Sequence, residues 1–160
     1  MKRGEFKSMV VLWVSSLGFV TMVRGDTMGG RGASSGVSKG GRYGTEFSTV
    51  YKSGNIKFVR YNDSTAAKSP METMTKGRVY VTVNSRNELK AITYFDKNNK
   101  RYKQVDISGK PHLINGKYII PHTHKGYEHN EKGNYALSPK EQKMLDRVIK
   151  TWYNYLSGKQ

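Results

Sequence analysis

All four histidines of this 160-residue sequence lie between positions 112 and 129. The stretch reads Lys110-Pro111-His112, then Ile120-Pro121-His122-Thr123-His124-Lys125-Gly126-Tyr127-Glu128-His129. His122 and His124 stand two apart, so on a strand both imidazoles share one face, with Tyr118 and Ile120. Histidine is the side chain whose ordinary pKa lies near neutrality, so one ring can be neutral while its neighbour is charged. That pair of states is what general acid–base catalysis needs. Applied to RNA, one imidazole would take the proton of the attacking 2′-hydroxyl and another would protonate the leaving oxygen. Lys110, Lys125, Lys90 and Arg101 are candidates to stabilise charge building on the phosphoryl oxygens. Glu128 or Asp106 could replace one histidine as base, or orient it. A rival chemistry is a metal site, with His-X-His on a strand and His129 or a carboxylate as third ligand, which suits zinc or another transition ion. The proton-transfer chemistry is the expectation, and it requires no cofactor.

The elements that must position these histidines follow from pattern. Ile56–Tyr61 reads as a strand, followed by a polar loop over Asn62–Pro70. Arg78–Val83 alternates, with Val79, Val81 and Val83 on one face. Leu89–Phe95 and Arg101–Ile107 read as two further strands, joined by an Asp96–Lys100 turn in which asparagine tolerates positive φ. Tyr118-Ile119-Ile120 begins a fourth strand after the Asn115-Gly116 turn. Short turns favour antiparallel pairing. Ser138-Pro139-Lys140-Glu141 then gives an N-cap serine, a proline at the first helical position and a glutamate three residues after the cap. Met144, Leu145, Val148, Ile149, Trp152 and Leu156 recur at helical spacing, and Gly158 stops the run. The predicted fold is α+β: a small antiparallel sheet of about four strands, with a C-terminal amphipathic helix on its valine-rich face and Trp152 in the core. The opposite face is expected to be open and polar, presenting Tyr80, Thr82, Lys90, Tyr94, Tyr102, Gln104 and Asp106. Aromatic rings among lysines there could stack bases and hold phosphates.

Composition narrows the class. The formal net charge is +16, which favours a polyanionic partner such as nucleic acid, an anionic membrane or an acidic protein. There is no cysteine, which excludes a disulfide scaffold and thiolate-held zinc or iron–sulfur groups. The length excludes a multidomain enzyme. Residues 1–25 read as a signal-like segment: Lys2, Arg3 and Lys7 precede an uncharged, mostly apolar run from Met9 to Val23, too short to span a bilayer comfortably. Uncleaved, it would be the one point of membrane contact. Residues 26–45 read as a Gly/Ser-rich linker, and 46–160 as the functional domain.

The runs Lys76–Val81, Leu89–Asp96 and Arg101–Asp106, followed by Pro121-His122-Thr123-His124 ahead of a Leu-Ser-Pro-Lys-Glu helix, resemble a bacterial domain family, the polymorphic toxin type 24 group. That group stands near the barnase–EndoU–colicin–RelE class of ribonuclease toxins and also occurs on phage head proteins. The resemblance covers roughly residues 46–156. It implies metal-independent RNA cleavage on the exposed face of an antiparallel sheet, secretion or delivery into rival cells, and an acidic immunity protein as partner. It carries catalytic roles onto His122 and His124, onto His112, and more weakly onto Lys110. Tyr80, Lys90, Tyr94, Arg101, Tyr102 and Lys125 are the expected substrate-binding residues. Toxins of this class usually end long chains with trafficking modules, so the short chain departs from the pattern. Two non-catalytic rivals remain: a basic nucleic-acid-binding module, and a phage-derived structural or interaction piece.

Overall fold

The computed structural model describes residues 32–158; the signal-like segment lies outside them. The strands are β1 (Ala33–Ser34), β2 (Phe47–Ser53), β3 (Ile56–Tyr61), β4 (Glu72–Thr73), β5 (Val79–Val83), β6 (Leu89–Phe95), β7 (Arg101–Asp106), β8 (His112–Ile114), β9 (Lys117–Ile119), β10 (His122–Lys125) and β11 (Asn134–Tyr135), followed by helix α1 (Pro139–Leu156). Seven strands form one sheet in the order β11-β10-β7-β6-β5-β3-β2. Every pair in it is antiparallel except β3 with β5, which run parallel in the register Ile56↔Val79. The protein is therefore α+β with a mostly antiparallel sheet, larger than the four strands expected.

Helix α1 forms as its sequence dictates. Ser138 Oγ accepts from the Glu141 N–H and the Glu141 carboxylate accepts from the Ser138 N–H, a complete capping box. Leu145, Val148 and Trp152 are buried against Ile56, Phe58, Val79, Val81, Val83, Ile92 and Val105. Trp152 stacks on Phe58 with centroids 5.0 Å apart, and its indole N–H donates to the Asn87 carbonyl at 2.9 Å. Packing on the valine face is as expected.

The other face departs from expectation. Tyr80, Thr82 and Thr93 are fully buried there. The segment assigned to a linker covers them: from Ala33 the chain packs on the sheet, with Ala33 and Ser34 buried and β1 paired to β4. Ala33, Phe47, Val59 and Tyr80 make a second core. Glycine here serves close approach as well as freedom, since a Cβ on Gly41 would lie 2.8 Å from the Gly36 carbonyl oxygen. At its β7–β10 end the polar face carries Gln104 and Asp106, both half-buried. There Tyr118 also departs from expectation: β9 pairs with β8 as a separate hairpin, and the strand that joins the sheet is β10.

Candidate active site

Strand register assembles the site. β10 lies antiparallel to β7 with His122 opposite Asp106 and His124 opposite Gln104. Alternation sends Asp106, Gln104, His122 and His124 to the face away from the helix, and Val105 and Thr123 toward it. Thr123 donates to Glu141 of α1 at 2.8 Å, which anchors β10 from behind. His124 Nε2 lies 2.8 Å from Asp106 Oδ2 and 3.0 Å from His122 Nε2, and His122 Nε2 lies 3.5 Å from the same carboxylate oxygen. The outer ring nitrogens are also held. His122 Nδ1 meets the Ile119 carbonyl at 2.9 Å, so it carries the proton, and His124 Nδ1 meets Asn130 Oδ1 at 3.0 Å.

Those contacts dictate protonation. With Nδ1 of His122 donating to a carbonyl, a neutral ring has a lone pair on Nε2. That lone pair, the Asp106 oxygen and His124 Nε2 converge on one point, which therefore needs a cation. A second proton on His124 meets the need. Burial opposes charge on His124, but the hydrogen bond to Asp106, that carboxylate's charge, and Asn134 and Asn130 outweigh it and raise its pKa. Burial would raise Asp106; hydrogen bonds from His124 and Gln104 and the two imidazoles hold it below the usual range instead.

The remaining histidines complete the cluster. His112, on β8, has its ring 4.6 Å from that of His122 and 5.0 Å from that of His124. His129 lies 4.3 Å from His124 and 6.0 Å from His112, ring centroid to centroid. Burial and the neighbouring imidazoles lower the pKa of both. The loop that carries His129 is fixed by Glu131, whose Oε1 accepts from the Tyr127 and Glu128 N–H groups at 2.9 Å. It is also fixed by Arg101, whose Nε donates to the Tyr127 carbonyl at 3.0 Å. Arg101 Nη1 donates to Gln104 Oε1 at 2.9 Å, and Gln104 Nε2 donates to Asp106 Oδ1 at 2.7 Å. One relay thus runs from the loop to the central carboxylate.

Against the sequence-based expectations, the structure brings His112, His122 and His124 together but gives them unequal access. His122 is fully buried and His124 is 4% exposed, whereas His112 is half-buried and His129 exposed. His129 was expected only as a metal ligand; its distance from the Pro-His-X-His element hid it, and only the loop folded back by Gly126 shows its place. Lys110 is exposed before β8 and acts on His112 by charge. The expected substrate contacts are corrected. Tyr80 is buried with its hydroxyl 3.0 Å from Thr73 Oγ1. Tyr94 belongs to the helix side, where burial and Glu141 push it up to about 12 and Lys103 sits 4.5 Å from its ring centroid. Lys90 shares the Ile92 and Tyr94 side by alternation. Arg101 has its guanidinium engaged by the loop and Gln104, which makes it a positioning residue. Tyr102 is exposed at the bulge opposite Phe95. Lys125 is exposed, with Nζ 4.3 Å from the Tyr135 ring centroid; paired with Lys103 it lies on the helix side, as does Tyr102, whose ring centroid is 5.8 Å from Lys103 Nζ.

Two groups here could hold a metal ion: Asp106 with His122 and His124, and His112 with His124 and His129, the ligand atoms of each lying within 4.8 Å of one another. Among the described residues no helix is long and apolar enough to cross a membrane. No family model, no curated protein and no solved structure matches this chain.

Proposed function

We propose that the protein is a basic ribonuclease toxin that cleaves RNA over the histidine cluster. The observation that carries this reading is the pair His112 and His129: two solvent-reaching imidazoles, 6.0 Å apart, above a buried His124–Asp106 pair. In-line attack of a 2′-hydroxyl on its own phosphorus puts the entering and leaving oxygens on opposite sides. A base and an acid must therefore face each other across the phosphate. His112 and His129 suit that span. One accepts the hydroxyl proton, and the other supplies a proton to the departing 5′-oxygen as the P–O bond breaks, leaving a 2′,3′-cyclic phosphate. His122 and His124, with every ring nitrogen engaged, form the floor. Positive charge there and on Lys110 stabilises the phosphoryl oxygens.

The resemblance to type 24 toxins supports a toxic role, delivery into rival cells and neutralisation by an acidic immunity protein seated over this end of the sheet. The proton transfers need no metal. Full-length protein incubated with total RNA in EDTA is expected to yield fragments ending in cyclic phosphate. His112→Ala and His129→Ala should each slow cleavage by about 10²–10⁴-fold while keeping RNA affinity, and should relieve growth inhibition on expression. Cleavage by both variants at the wild-type rate would overturn the assignment. Salt-sensitive RNA binding with no turnover by folded protein would leave a non-catalytic binding module.

A further inference from the structure

The floor of the cluster has the form of a transition-metal site. His122 and His124 each offer Nε2 and Asp106 offers Oδ2, all within 4.8 Å of one another. The three atoms stand 2.8, 3.0 and 3.5 Å apart. A tetrahedral ion with bonds of about 2.0–2.1 Å holds its ligand atoms about 3.3 Å apart, a value these separations bracket. The outer partners are those that fix a ligating imidazole: a backbone carbonyl on His122 Nδ1, a side-chain amide oxygen on His124 Nδ1, and Gln104 on the free oxygen of Asp106. We propose that Asp106, His122 and His124 bind one divalent ion of the zinc class.

The donor set selects the metal. Two imidazole nitrogens and one carboxylate oxygen suit zinc, cobalt or nickel, and disfavour magnesium and calcium, which want oxygen ligands. Three protein ligands leave one coordination position open, and the His112 ring borders the group 4.6 Å from that of His122. The Asp106 side chain, 22% exposed, gives the route in past otherwise buried rings. Once bound, the ion ties the end of β7 to β10. This inference does not depend on RNA cleavage, because metal binding is read without any substrate.

The test is direct metal binding by the full chain, stripped with chelator and then titrated with zinc or cobalt alone. One equivalent per chain is expected, with the cobalt form showing the visible absorption of an ion in low coordination with nitrogen ligands, displaced by zinc. At zinc about 100-fold above Kd the melting temperature should rise by roughly 10 °C, with no rise in magnesium. Asp106→Asn and His122→Asn should weaken binding by at least 10-fold, and His129→Ala should leave it in place. His122 is fully buried, so its variant can fail to fold; the cobalt spectrum of the unmodified chain and the Asp106 variant still decide. No binding by the folded chain would overturn the proposal. So would binding lost in His129→Ala and kept in Asp106→Asn, which would assign the ion to the other group. Cleavage lost in His112→Ala with metal binding intact would separate this result from the nuclease reading.

Discussion

Glu141 shows how one residue can serve the helix and the site together. Its backbone N–H and carboxylate close the capping box with Ser138, and the same carboxylate accepts from Thr123 between the two buried histidines and pairs with Lys103 at 2.8 Å. Burial would raise its pKa, but Lys103, the Ser138 N–H and the Thr123 hydroxyl hold it below the usual range. A carboxylate depressed in the folded state contributes stability that is fully present above its unfolded pKa, and loses it as pH falls through the folded value. Glu141→Gln is therefore expected to cost about 1–3 kcal/mol at pH 7, with the difference from wild type narrowing below about pH 4. Urea unfolding across that range measures both, and an equal deficit at pH 7 and pH 3 would refute the charge-based account. The capping role of Glu141 is legible in Ser-Pro-Lys-Glu. Its grip on Thr123 is not, because that contact joins elements whose pairing no local pattern encodes. The histidines divide the same way. The spacing of His122 and His124 predicts a shared face, yet their partner Asp106 comes from the β7–β10 register, and their burial from the loop above.

That loop follows β10 and turns at Gly126, whose φ is 109°. A Cβ there would lie 2.7 Å from Glu131 Cβ, the residue whose carboxylate gathers the Tyr127 and Glu128 N–H groups. Gly126→Ala is expected to cost about 1–3 kcal/mol of stability from the positive φ alone, and to push the loop outward. Misplacing His129 by about 1 Å should lower kcat up to roughly 100-fold with a small change in KM. Steady-state cleavage assays check the split; an unchanged kcat would mean that the loop does not position the chemistry. The strands expected from the sequence are β3, β5, β6 and β7, all but the last with at least two β-branched residues, and the structure has them close to their expected bounds. β2, with Ser48, Thr49 and Lys52 among its residues, and β10, nearly all polar, give no apolar alternation. Their place comes from partners: β3 for the first, β7 and α1 for the second. The glycine-rich stretch before them lacks an apolar face of its own, and it becomes structure by lying on Tyr80 and Phe47.

At the scale of the whole molecule, a charge of +16 on 160 residues is read from composition alone, but where it works is set by the fold. Exposed Lys110 and Lys117 stand at the β8–β9 hairpin, and exposed Lys132 stands in the loop that carries His129, at the histidine end of the sheet. The Leu113–Tyr118 cross-strand pair stands exposed on that hairpin, with Tyr118 76% accessible. A single-stranded polyanion crossing this end would release counterions at each lysine it meets. About five phosphate contacts give a slope near −3.5 for log K against log salt, close to −0.7 per phosphate. Removing one lysine at the rim, as in Lys110→Ala, should make the slope shallower by about 0.7 and weaken binding evenly across sequences. Tyr118→Ala should weaken binding by about 1–3 kcal/mol with the slope unchanged, because stacking releases no counterions. Fluorescence anisotropy with a short labelled oligonucleotide on a cleavage-deficient His112→Ala background, at four salt concentrations, gives both quantities. A slope unchanged by Lys110→Ala and an affinity untouched by Tyr118→Ala would place the nucleic-acid track elsewhere on the basic surface, away from the histidines. That result would remove the geometric link between the charge of the molecule and the chemistry of its site.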